Sequence, residues 1–224
     1  MVLLAVLREL APRHEWKLLA AHCNHGLRGR SSQADERLVR TVCRQWEIPC
    51  VSGVVEVRKR AKRSGASIEM AAREARHEFL SQVARQKRIN TVALGHQADD
   101  QVELFFLRLL RGSSSLGLSG MKWSGPSPVE PRVMLVRPLL GCSRAELLGF
   151  ASEQRVRYRE DATNSSLDIL RNRIRHELVP KLLGFQPVLQ RIVLRQMELL
   201  GAESELISGL ASAWRTRKGE PFAK

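Results

Sequence analysis

Two hydrophobic rhythms alternate along this chain. Short unbroken apolar runs, as in strands buried on both faces, are separated by stretches whose apolar residues recur every three or four positions, as in helices with one packed face. The first stretch, residues 1–11, predicts a helix bounded by Pro12. Lys17 to Cys23 (KLLAAHC) predicts a buried strand, and Gln33 to Trp46 a helix with Leu38, Val39, Val42 and Cys43 on its inner face. A second strand falls within Pro49 to Val57, followed by a helix from Ile68 to Gln86 that Ser67 caps. Thr91 to Leu94 predicts a strand, Asp99 to Leu110 a helix, and Met134 to Val136 a last strand stopped by Pro138. Ser143, with Glu146 at the capping-box position, opens a helix over 144–153. Residues 112–133, rich in Gly, Ser and Pro, read as a long loop. Residues 186–215 predict a helix starting near Pro187, with Val188, Leu189, Ile192, Val193 and Leu199 spaced for packing. Strand and helix patterns in this alternation predict an α/β fold, a parallel sheet with helices on both faces.

Composition narrows the function classes. With 224 residues and 43% apolar residues, the chain can build one large domain with a small extension. Its net charge of +14 and pI near 10.7 favour a polyanionic partner. No apolar run approaches the ~20 residues of a membrane span, and the N-terminal run, broken by Arg8 and Glu9, is not a signal peptide. A cytoplasmic location with no membrane partner is the expectation. The four cysteines, Cys23, Cys43, Cys50 and Cys142, form no CxxC pair, so zinc and iron–sulfur spacing is absent and reduced thiols are expected.

The most informative segment is LGHQADDQVELFFLRLLRG at 94–112. It places His96, Asp99 and Asp100 in the turn from a strand into a helix, with Glu103 one turn further on. In open α/β sheets that turn lies at the carboxyl end of the strand, where ligands bind. The two aspartates are also what capping a helix N-terminus requires, so capping alone and a substrate site both account for them. His22 and His25 follow the earlier strand at the same sheet edge. The run RKRAKR at 58–63 suits a solvated face or RNA phosphates, with Lys59 and Arg60 as test positions. Arg73 and Arg76 lie one turn apart, and Glu69 could pair with Arg73. RNRIRHE at 171–177 puts Arg171 and Arg175 on one helix face and turns Ile174 and Leu178 inward. Asp161 and Asn164 lie in an EDATN loop just upstream.

Four segments in order give a resemblance: HGLR at 25–28, SIEMAAREAR at 67–76, LGHQADDQVE running into LRLLRGSSSLGLSGM, and RNRIRHELVPKL at 171–182. Together they resemble the PP-loop ATP pyrophosphatase group, most closely the bacterial tRNA(Ile) lysidine synthetases, over Met1 to about Leu183. The resemblance implies a doubly wound parallel sheet, Rossmann-like, of the adenine nucleotide alpha hydrolase type. It implies a catalytic domain over 1–183 and a helical extension over 184–224. The family's SGGxDS phosphate loop occurs nowhere here, and MVLLAVLREL resembles the helix after it. The expectation is a start site assigned too late or a shortened chain; the alternative is an inactive, tRNA-binding relic. Asn24 stands where the family's wording, DHGLR, has an acid.

The implied reaction uses ATP and Mg²⁺ to adenylate the C2 oxygen of the wobble cytidine of tRNA(Ile) with a CAU anticodon. The amine of L-lysine then displaces AMP. By resemblance, Asp100 and Glu103 hold the lysine ammonium or assist its deprotonation, and His96 contacts the nucleotide or the adenylated base. His25, Arg73 and Arg111 meet ATP and its phosphates, and Arg171, Arg173 and Arg175 position tRNA or the adenylate. The metal ligands stay unassigned, since the family's lie in the absent loop, and a homodimer is one assembly among those open. A PP-loop tRNA thiolase is the nearest rival and would need the CxxC pairs this chain lacks. A dinucleotide enzyme is disfavoured because no GxGxxG follows a strand.

Overall fold

Parallel strand pairing organises the region that carries the short apolar runs. The computed structural model describes residues 1–27, 29–159 and 170–218. In chain order it runs α1 (Val2–His14), β1 (Ala20–Asn24), α2 (Arg30–Gln45), β2 (Cys50–Val54), α3 (Val57–Ser64), α4 (Ile68–Gln86) and β3 (Thr91–Ala93). There follow α5 (Ala98–Leu109), α6 (Ser115–Leu118), β4 (Ser124–Pro126), β5 (Met134–Val136) and α7 (Arg144–Glu153). The last part holds α8 (Leu170–Arg173), a π-helical turn (Ile174–Leu178), α9 (Val179–Phe185) and α10 (Leu189–Lys218).

The chain folds as two compact units. The first comprises residues 1–96 and 123–159 and holds the strands. β1 pairs in parallel with β2, with Ala20 opposite Cys50 and Asn24 opposite Val54. β3 pairs in parallel with β5, Thr91 opposite Met134, and β4 joins the other side of β5 antiparallel. The parallel α/β expectation therefore holds, with β4 as an antiparallel edge. α4 packs on both β1 and β3. One core cluster forms where Val57 and Ala61 of α3 meet Ala71 of α4. The second unit comprises residues 97–122 and 170–218 and is helical. Its core is Val102 of α5 against Val193 and Met197 of α10, flanked by Phe105, Phe106, Val179 and Leu189.

Local chemistry explains where elements depart from expectation. α1 continues past Pro12 to His14, and the Trp16 N–H closes it on the Ala11 carbonyl at 3.0 Å. The basic run 58–63, to which the sequence assigned no element, lies on helix α3, because Val57 and Ala61, one turn apart, bury against α4. The long loop 112–133 contains α6 and β4; Ser114 caps α6, its hydroxyl accepting from Gly117 N–H. The arginine-rich helix is broken by a π turn. Pro180 has no N–H and its ring crowds the carbonyl four residues back, so the ladder shifts by one and Val179 N–H donates to Ile174.

Candidate functional site

In the first unit, chemistry gathers at the carboxyl ends of the strands. Asn24 ends β1 and is buried. Its Oδ1 accepts the Gly26 N–H at 2.9 Å, holding the turn that Gly26 makes at φ 63°. Its Nδ2 donates to Glu36 Oε2 of α2 at 3.0 Å. That donation is the main cause holding the Glu36 carboxyl below its ordinary value; burial opposes it and Arg40 assists. His25, half-buried, lies 4.0 Å from Cys23 Sγ through Nδ1. Burial pushes the Cys23 thiol up to about 11, partly offset by the Arg76 charge. His22 is held below its usual value by burial, against the pull of Glu36 and Asp35. His96 sits half-buried just past β3.

α4 adds positive charge to this region. Ser67 caps it as expected, its hydroxyl accepting from the Met70 N–H at 3.2 Å. Arg73 is exposed, Arg76 half-buried and His77 buried on this helix. Arg137 follows β5 directly, and its backbone N–H donates to Trp123 at 2.8 Å. His77 reports the local potential. Burial pushes its proton affinity down, and Arg76, Arg73 and Arg137 push it further. Its Nδ1 is buried with no hydrogen-bond partner among the described residues. Arg137 is lowered in the same sense, by burial first and by Arg73 second. Such a region favours an anion.

The second unit holds the acids of α5 in a network of charge-assisted bonds. Glu103, only 2% exposed, accepts from Arg171 Nε at 2.7 Å on one oxygen and from Arg175 Nε at 2.5 Å on the other. Arg171 also reaches Asp100 Oδ1 at 2.6 Å. The second Asp100 oxygen accepts the Gln97 N–H at 3.0 Å and so caps α5. Asp99 accepts from Gln190 of α10 at 3.1 Å. The shared face expected for Arg171 and Arg175 is thus real: one buried carboxylate holds both. The glycine-rich segment is tied to the same helices. Gln101 exchanges two bonds with the Met121 backbone, at 2.9 and 2.8 Å.

The residues singled out in the sequence are thus distributed over two places. His25, Arg73 and His96 belong to the first unit, and Asp100, Glu103, Arg171 and Arg175 converge in the second. Arg173 instead pairs with Glu177 at 3.3 Å on the surface. Arg111 is exposed in the turn after α5, about 16 Å along the helix axis from Asp100 at 1.5 Å per residue. Lys59 and Arg60 are taken by Glu56 and Glu78, at 2.8 and 2.5 Å. Arg28, Asp161 and Asn164 lie outside the described residues. Sequence reasoning did not single out Arg137 or His77. The position of Arg137, directly after a strand, was the available signal. Among the described residues no group of three or more His, Cys, Asp or Glu side chains forms a metal-ligand set. Nor is any helix long and apolar enough to cross a membrane.

Comparison with known proteins follows the same lines. A PP-loop domain model matches residues 1–182. The tRNA(Ile)-lysidine synthase of Geobacter sulfurreducens is 40% identical over 193 residues, 86% of this chain and 40% of that protein. The tRNA(Ile)-lysidine synthase of Thermotoga maritima is 37% identical over 195 residues, 87% of this chain and 45% of that protein. The chain therefore spans less than half the length of these relatives. Among solved structures, the U34-tRNA thiolase NcsA from Methanococcus maripaludis, with its [4Fe-4S] cluster, superposes with a TM-score of 0.67. It is 18% identical and covers 89% of this chain and 67% of that one, a likeness of fold.

Proposed function

The chain belongs to the PP-loop domain family, and on that footing we propose that it provides the catalytic part of an ATP-dependent tRNA(Ile)-lysidine synthase. The observation that carries the reading is the positive cluster of Arg73, Arg76 and Arg137 around buried His77, beside the carboxyl ends of parallel strands. A triphosphate fits that potential, and α/β sheets hold ligands at that edge. The similarity to lysidine synthases over most of this chain supports the substrate assignment.

In this reading the C2 carbonyl oxygen of the wobble cytidine attacks the α-phosphorus of ATP and pyrophosphate leaves. The neutral amine of lysine then attacks C2 and AMP leaves. Arg73, Arg137 and His25 meet the nucleotide, Arg111 assists at phosphate, and His96 contacts the nucleotide or the activated base. Arg171, Arg173 and Arg175 contact tRNA or the adenylate. Asp100 and Glu103 divide their work. Glu103, buried under two guanidiniums, orients Arg171 and Arg175. Asp100, the more exposed of the two, receives the lysine ammonium by exchange with Arg171 and takes up the proton that the amine loses before it attacks. Mg²⁺ bound together with ATP would add positive charge at the phosphates, alongside that of Arg73 and Arg137.

The test is ATP-dependent incorporation of labelled lysine into tRNA(Ile) bearing a CAU anticodon, with AMP release followed in parallel. Arg137→Ala is expected to raise the KM for ATP about tenfold, a loss near 1.4 kcal/mol. Asp100→Ala is expected to abolish lysine incorporation while tRNA binding stays intact. Turnover at the parent rate in Asp100→Ala would remove that role. Tight tRNA binding with no AMP release from the parent chain would replace the enzyme reading with a purely RNA-binding one.

A further inference from the structure

All four cysteines lie in the first unit as free thiols, and two of them meet. Cys43 sits in the last turn of α2 and is only 1% exposed. Cys50, half-buried, is the first residue of β2. The pleat of the sheet puts both side chains in one layer, because successive strand residues point to opposite faces. Asn24 donates to Glu36 of α2, so its face of β1 is turned to that helix. Ala20 and His22 share this face, and Cys50, Ser52 and Val54 stand opposite the three in the parallel register. Cys50 therefore points at the helix whose inner side carries Cys43. Cys23 belongs to the other face. Gly53, its register partner, lies against the Phe79 ring of α4.

The turn between α2 and β2 brings the two thiols together. Glu47 takes φ 56°, in the left-handed region, and the chain reverses there. The Ile48 N–H then donates back to the Cys43 carbonyl at 2.9 Å, and Cys50 follows two residues later. The result is a thiol–thiol hydrogen bond between Cys43 and Cys50.

We propose that Cys43 and Cys50 are a redox modification site, closing to a reversible disulfide by exchange with a low-molecular-weight disulfide of the glutathione type. Cys50 is the entry point, since Cys43 is closed to solvent. The Cys50 thiolate attacks one sulfur of the reagent RSSR, and RS⁻ leaves and takes up the proton that Cys50 gave. Cys43 then attacks the Cys50 sulfur, and a second RS⁻ leaves with the Cys43 proton. Two protein thiols are oxidised to one disulfide, and RSSR is reduced to two RSH. The second step is the slower. Burial first, and the Cys50 thiol after it, push Cys43 up to about 11, so few Cys43 side chains are thiolates near neutral pH. The bridge ties the end of α2 to the start of β2, a strand that pairs with β1 alone among the described residues. It restrains the unfolded chain and opposes local opening of that strand. Asn24 and His25 lie at the other end of the strands, so the inference stands independently of the lysidine reading.

The experiment treats the whole chain with oxidised glutathione at about pH 8, where thiolates are more abundant, and afterwards with dithiothreitol. Intact mass, peptide mapping, amide hydrogen exchange and thermal unfolding are read at each stage. The parent is expected to lose two hydrogens and keep no glutathione, with Cys43 and Cys50 joined in one peptide pair. Exchange across Cys50–Val54 should slow by at least about tenfold and Tm should rise, both reverting with dithiothreitol. Cys43→Ala should trap glutathione on Cys50, and Cys50→Ala should leave Cys43 unmodified. A parent that retains glutathione on Cys50, bridges through Cys23 or Cys142, or keeps all four thiols overturns the proposal. These outcomes are read on the parent, so they decide even where a cysteine variant fails to fold.

Discussion

Asn24 shows how one side chain can settle a local arrangement. It stands where lysidine synthetase wording has an acid, and it joins Gly26 to Glu36 through the two ends of its amide. An aspartate could still accept from Gly26, but it would set a second carboxylate against Glu36. Asn24→Asp is therefore expected to lose about 1–3 kcal/mol at pH 7, the cost of a broken partly buried bond with a like charge added. The pH dependence gives the sign. In the parent, Glu36 has a folded value below its ordinary 4.5, so its contribution is present above that pH and lost as pH falls through the folded value. In the variant, facing carboxylates raise the folded value instead. The deficit should then shrink as pH is lowered from 7 towards 4.5, as the pair takes up a proton. Urea unfolding of both proteins at the two pH values checks this. An equal deficit at both would mean the two side chains do not face each other in solution.

Among the elements, the segment after α5 is the most tightly specified. Gly120 adopts φ 78°, and a Cβ there would lie 2.0 Å from Met197 Cε and 2.8 Å from Gln101 Oε1. Gly120→Ala therefore combines left-handed strain with a clash against the α5–α10 core. It should cost more than about 1 kcal/mol, seen as a lower urea midpoint at unchanged m. A midpoint equal to the parent's would mean Met197 and Gln101 give way freely. The same comparison shows what kind of element the sequence discloses. α4, α7 and β5 were legible because cap, period and stop lie within the element: Ser67, Ser143 with Glu146, and Pro138. α3 was not, since its two buried residues matter only once Ala71 is opposite them. β4, with the sequence Ser-Gly-Pro, has no strand preference and exists because β5 offers an edge. The site divides in the same way. His25, His96 and Asp100 follow strand ends and could be found. The Glu103 pairs with Arg171 and Arg175 join residues 68 and 72 positions apart and leave no local trace.

At the scale of the molecule, the excess of positive charge is the property most directly tied to a polyanion, and the structure sorts it into used and unused cations. On α3, Lys59 and Arg60 are committed to Glu56 and Glu78, whereas Arg58 and Lys62 are exposed on the same helix. The basic run therefore offers phosphate contacts through the latter pair, and the test positions move to them. Each phosphate neutralised on tRNA releases counterions, so log K falls with log salt by roughly 0.7 to 0.9 per contact. Changing Arg58 and Lys62 to alanine together should lower tRNA affinity and flatten that slope by about 1 to 2. Both residues lie on the solvent side of α3, so thermal stability should stay within about 0.5 kcal/mol of the parent. Changing Lys59 alone should do less, because its ammonium already has a carboxylate at 2.8 Å. Fluorescence titration of tRNA across 50–300 mM salt, over which the Debye length shortens by a factor of about 2.4, separates the outcomes. An unchanged slope in the double variant would mean that α3 is only a solvated face.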